Sequence, residues 1–255
     1  WNLDIIERQG LEKSLVLERD MGILFSGRYI GMGQAEGTAD GMEMGHERAA
    51  RGFGYDIGVF NPAERSGAVE TDSDEVLGDA LAYVGRIHFD YDDWVHFEVS
   101  YGVSEQAGGA VGSEDYSVFD AGINSHAGRF NAALEYIQGN NIQGVNNWDQ
   151  SCVIATLAYM INLKCELVAK HYQAKSELPM GTEADLGNTY IGINWFLYDL
   201  GGATNTGSID RALKRKLQNN RIQINCVLAS GDEEEWDGLG GYTDDAVMMQ
   251  WQYKF

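Results

Sequence analysis

The last ten residues read AVMMQWQYKF (246–255). Val247, Met249, Trp251, Tyr253 and Phe255 share one parity, and Ala246, Met248, Gln250, Gln252 and Lys254 share the other. A period of two marks a strand with one apolar face. ALAYVGRIHFDY (80–91) repeats the pattern, with Leu81, Tyr83, Gly85, Ile87, Phe89 and Tyr91 against Ala82, Val84, Arg86, His88 and Asp90. Beyond Asp92–Asp93, Val95, Phe97, Val99, Tyr101 and Val103 oppose His96, Glu98, Ser100 and Gly102. RFNAALEY and RIQINCVL follow the same rule, while DMGILFSGRYI, GFGYDIGVF, YSVFDAGIN, CVIATLAYMI, CELVAKHYQA and TYIGINWFLY follow it more weakly. The pattern predicts about eleven strands of about ten residues, the length that crosses a bilayer at a tilt.

The connections sharpen the expectation. Short ones at Asp92–Asp93, Gly128–Arg129 and Asn162–Lys164 alternate with long polar ones at Pro62–Asp79, Ala107–Asp115, Asn140–Gln150, Lys175–Leu186 and Gly231–Asp245. Tight turns at one end and long loops at the other are the asymmetry of an outer-membrane barrel. Trp94, Tyr91, Trp195, Tyr198 and Trp251 fall near strand ends, where an interfacial girdle belongs. The fold class expected is therefore all-β, a transmembrane antiparallel up-and-down β-barrel forming a single domain over residues 1–255, with the apolar faces toward lipid and the polar faces toward the lumen. A soluble β-sandwich binder, its apolar faces meeting in a core, is the competing architecture.

Composition changes the picture in several places. Apolar residues make up 44%, and no run of about 18 of them exists for a membrane helix. Glycine is abundant at 32 and proline scarce at 2, which suits long strands joined by turns. The net charge of −21 argues against nucleic acid as a partner. Cys152, Cys165 and Cys226 stand apart without CxxC spacing, so zinc and redox chemistry are not expected. No motif joins His171 to Ser151 or Ser176, His46, His88, His96 and His126 are scattered, and the chain reads as a non-enzyme.

One segment carries a family resemblance. IIERQGLEKSLVLERDMGILFSG (5–27), with Glu7-Arg8 followed by Arg19-Asp20-Met21-Gly22, resembles a segment of the phosphate-selective (polyphosphate/phosphate) porins. GYDIGVFN, CELVAKHY, YIGINWFLYD and the ending DDAVMMQWQYKF resemble later strands of that family in the same order. The resemblance implies roughly 16-stranded trimeric barrels, so about five strands would precede the eleven read here. It places Glu7, Arg8, Arg19 and Asp20 at the constriction, with residues 1–18 as an outer loop or constriction segment. A smaller barrel with Trp1–Ile6 as a twelfth strand is the alternative. The resemblance also implies insertion machinery that reads the strand ending at Phe255, a setting of outer-membrane lipid and lipopolysaccharide, and phosphate as the solute. Phosphate selection in that family depends on a ladder of basic residues, whereas this chain has 18 basic residues against 39 acidic ones.

The lumen-parity residues are mixed in charge. Arg28, Arg86, His88, His96, Glu98, Arg129, Glu135, Lys170 and Arg221 are the expected pore-lining set, joined by Asp56, Asp90, Asp120 and Glu166. Rings of such charges tune which ions enter a water-filled channel. Polar, paired, solvated residues without selectivity are the plainer reading. No cofactor is expected. The acidic stretches ETDSDE (70–75) and GDEEEWDG (231–238) suit calcium by charge but lack its loop spacing, and a solvated acidic rim competes with that reading. The densest basic cluster, Arg211, Lys214, Arg215 and Lys216, lies in SIDRALKRKLQNN (208–220), which reads as a short amphipathic helix on the short-turn side.

Overall fold

The computed structural model describes residues 21–30, 51–61, 81–91, 94–105, 114–197, 220–231 and 242–253. Eleven strands form one sheet: β1 (Met21–Ile30), β2 (Arg51–Asn61), β3 (Ala82–Tyr91), β4 (Val95–Ser104), β5 (Tyr116–Ala127), β6 (Phe130–Asn140), β7 (Asp149–Asn162), β8 (Cys165–Glu177), β9 (Glu183–Phe196), β10 (Asn220–Gly231) and β11 (Ala246–Tyr253). Each strand pairs antiparallel with its sequence neighbours, so spatial order equals chain order. The expected strand number and order are therefore met. Among the described residues, no pairing joins β1 to β11. With ten antiparallel steps between them, these two edge strands run in the same direction.

Turn chemistry explains the short connections. Gly128 takes φ +59°, the left-handed conformation a tight hairpin needs, and hands the chain to Arg129 and β6. Two connections expected to be long are shorter than their polarity suggested. β8 continues to Glu177 and β9 starts at Glu183, and β6 and β7 are separated only by residues 141–148 with a 3-10 turn at Ile142–Gly144. Asn141, at φ 53°, organises that connection: its side chain donates to Asp115 O and accepts from the Asn147 backbone. The Asp92–Asp93 turn, the constriction residues Glu7, Arg8, Arg19 and Asp20, the Trp1–Ile6 segment, the acidic stretches at 70–75 and 232–238, and the basic cluster at 211–216 lie outside the described residues.

The two faces of the sheet differ. Outward-facing Ile23, Ile57, Ile87, Leu157, Ile193, Met249 and Trp251 are all exposed. Tyr91, Trp94, Phe130, Trp195 and Trp251 sit near the short-turn end of the same face, with the Phe130 and Tyr159 rings 4.6 Å apart. Higher on that face, the Phe119 and Tyr136 rings lie 6.3 Å apart across β5 and β6, tilted by 55°. The other face carries the buried residues, both polar and apolar. Burial confined to one face of so wide a sheet means the sheet curls, with its inner wall concave.

Candidate functional site

The inner wall is built in rungs. Residues opposite one another in register lie side by side across the sheet. One rung runs Ser26, Asp56, Arg86, Ser100, Asp120, Ile137, Cys152, Ala174, Leu186 from β1 to β9. The next toward the short turns runs Gly54, His88, Glu98, Gly122, Glu135, Ile154, Tyr172, Asn188 from β2 to β9. The first turns apolar at Ile137 on β6; the second turns apolar at Ile154 on β7 and ends on Asn188.

The charged part is a connected network. Arg86 Nε donates to Asp56 Oδ2 at 2.8 Å, and Arg86 Nη1 lies 3.6 Å from Glu98 Oε2. Ser26 donates its hydroxyl to the other Asp56 oxygen, Oδ1. His96 Nδ1 is 2.8 Å from Asp90 Oδ1, and His96 Nε2 is 3.3 Å from Glu98 Oε2. The His88 ring lies 5.9 Å from the His96 ring and covers Gly54, where any Cβ would overlap it. Gly54 is thus the residue that lets a buried histidine lie flat against β2. The Arg86 and Glu98 side chains keep 38% and 32% of their surface in contact with solvent, so this stretch of wall is wet.

A second polar network lies nearer the short-turn end of β8–β11. Gln223 Nε2 donates to Asn194 Oδ1, and Asn194 Nδ2 donates to Glu166 Oε2, each at 3.0 Å. Arg221 Nε donates to Gln252 Oε1 at 3.0 Å, and its side chain is almost wholly enclosed, at 1% exposed. The amides of this network were not singled out from sequence. Their signal was there: Asn188, Asn194, Gln223, Asn225, Gln250 and Gln252 all fall on the inward parity.

Between these networks, on the loop side, the wall is apolar and closed. Ile137, Cys152, Ile154, Tyr172, Ala174, Leu186, Tyr190 and Val227 belong to one buried cluster. Described residues from the loop end fold over it: Ile142 is part of the cluster, and Trp148 and Tyr242 pack against it. Asn188 fastens Tyr242 at both backbone groups, donating to Tyr242 O at 2.8 Å and accepting from Tyr242 N at 2.9 Å. Trp148 Nε1 donates to Ser176 Oγ at 3.3 Å. The inward face, expected to be the polar one, is apolar here, because these side chains face protein instead of water.

The expected pore-lining residues divide accordingly. Arg86, His88, His96 and Glu98 meet in one network, and Glu135 joins their rung across Gly122. Lys170 and Arg221 face inward but are buried on the far strands. Arg28 lies on β1 opposite Gly54. Arg129 sits in the β5–β6 turn instead of on a strand, donating to Ile161 O at 3.0 Å. Among the described residues, no group of three or more His, Cys, Asp or Glu side chains is arranged to hold a metal ion. No family model matches the chain, and no curated protein does either.

Proposed function

We propose that this chain is an outer-membrane β-barrel channel through which ions and small hydrophilic solutes diffuse. One observation carries the reading: every strand of an eleven-stranded antiparallel sheet turns apolar side chains outward, while charged side chains gather on a wet inner wall. An exposed apolar surface of that extent needs a lipid or protein cover, and strands cross a bilayer only as a closed barrel. Since β1 and β11 run in the same direction, antiparallel closure needs an odd number of further strands. The five or so strands that the resemblance to phosphate-selective porins implies meet that parity. The same resemblance supplies a trimer, a lipopolysaccharide-facing rim and phosphate or another anion as solute. The acidic inner wall of β2–β6 speaks against a strong anion preference.

The test is electrophysiological. Protein purified in detergent, showing heat-modifiable gel migration, is added to a planar bilayer. Stepwise, ohmic conductance supports the channel. Heat-modifiable migration without conductance points to the second reading, a filled barrel with a structural or partner-binding role, which the closed apolar cluster beneath Trp148 and Tyr242 favours. Solubility without detergent would return the chain to the β-sandwich class.

A further inference from the structure

We propose that Glu98 sets the ion preference of the inner wall and that His96 makes that preference respond to pH. This rests on the channel reading above. Among the described residues of β2–β6, the inward side chains include five carboxylates, Asp56, Asp90, Glu98, Asp120 and Glu135, and one guanidinium, Arg86. Arg86 is committed first to Asp56, through Nε at 2.8 Å, and reaches Glu98 Oε2 only at 3.6 Å. That same Glu98 oxygen lies 3.3 Å from His96 Nε2. Glu98 thus stands between a permanent cation and a switchable one, on the part of the wall that water reaches.

The geometry around His96 is what makes it a switch. Both ring nitrogens face carboxylate oxygens, Asp90 Oδ1 at 2.8 Å and Glu98 Oε2 at 3.3 Å. A neutral imidazole has one N–H and satisfies one of them, whereas the imidazolium donates to both. The surrounding charges come from every neighbouring strand. β2 brings Asp56, β3 brings Arg86, His88 and Asp90, and β4 brings Glu98. β5 places neutral Asn124 directly opposite His96, with Asp120 and His126 further along, and β6 brings Glu135 across Gly122. With His96 neutral, the carboxylates outnumber the cations and the wall attracts cations. With His96 protonated, Asp90 and Glu98 are bridged by a positive charge and the wall loses much of that attraction. Histidine is the side chain whose charge changes between about pH 5 and 8.

Reversal potentials in a KCl gradient test this with the whole protein. At about pH 8 the wild-type channel prefers potassium, and at about pH 5 that preference falls by roughly twofold or more. Glu98→Gln weakens the preference at the higher pH. His96→Gln keeps it there and removes most of the fall, with His96→Asn as a second variant and heat-modifiable migration as the folding control for all three. A wild-type channel with the same reversal potential at both pH values overturns the proposal while leaving the channel intact. So does anion preference at the higher pH, or a full response in the folded His96 variants. Absence of any wild-type conductance overturns the channel reading itself, and this inference with it.

Discussion

Ser100 on β4 and Cys152 on β7 occupy the same rung of the sheet and point to the same side, three strands apart, yet they live in different solvents. Ser100 lies between Arg86 and Asp120 on a half-exposed wall, while Cys152 lies between Ile137 and Ala174 at 2% exposure. Backbone geometry is common to both halves, so the boundary at β5–β6 is made by side chains. On β2–β5 the rungs hold charges that pair laterally and still meet water. On β6–β9 the Ser100 rung holds Ile137, Cys152, Ala174 and Leu186, in the cluster that includes Ile142 and against which Trp148 and Tyr242 pack. A single sheet can thus present a wet, charged wall along one arc and a packed core along another.

The largest effect should come from placing a charge on the wrong side of that boundary. Leu186→Lys buries an ammonium without a counter-charge, a cost of about 3–5 kcal/mol, and should yield no heat-modifiable folded form. Ser100→Lys, on the same rung, should fold and conduct. Next comes Ile137→Ala, which leaves a cavity where the side chain is fully buried and should lower stability by about 2–5 kcal/mol in denaturant titrations in micelles. The neighbouring Asp120→Asn keeps the side chain's size, opens no cavity, and should be far less destabilising in the same titration. Asn188→Ala removes both bonds to the Tyr242 backbone, costs about 1–3 kcal/mol, and should speed hydrogen exchange at the Tyr242 amide specifically. A comparable cost, about 1–3 kcal/mol, should follow Arg86→Gln, which strips the buried Asp56 carboxylate of its guanidinium. Its signature lies elsewhere: with Asp56 and Glu98 deprived of their cation, cation preference should rise.

Alternation made the fold largely legible. The strict patterns of β3, β4, β10 and β11 fixed which side chains share a face, and the weaker ones still located the remaining strands. The same weakness held the information that one arc of the inward face is apolar. In CVIATLAYMI both parities are apolar but for Thr156: Val153, Ala155, Leu157 and Tyr159 face outward, and Cys152, Ile154, Ala158 and Met160 face inward. Its inward side chains are packed against protein while Val153 and Leu157 on the other face stay exposed. Of the site, the residue types of β3 and β4 were readable, but not their partnership. That His96 reaches both Asp90 and Glu98 depends on the register across a hairpin and on rotamers, and that Gly54 makes room for His88 depends on β2 lying beside β3. Arg129 continues the inward parity of β6 by one residue but lies in the turn, a distinction that parity does not carry.

Thiol accessibility tests the division of the inner wall most directly. In a background with Cys165 and Cys226 changed to serine, native Cys152 and an introduced Ser100→Cys are compared, one at a time, against a charged, membrane-impermeant thiol reagent in the folded protein. The account predicts rapid modification at position 100, with an accompanying change in conductance, and none at Cys152 until the protein is unfolded. Equal rates at the two positions would contradict it, because both arcs of the wall would then face water.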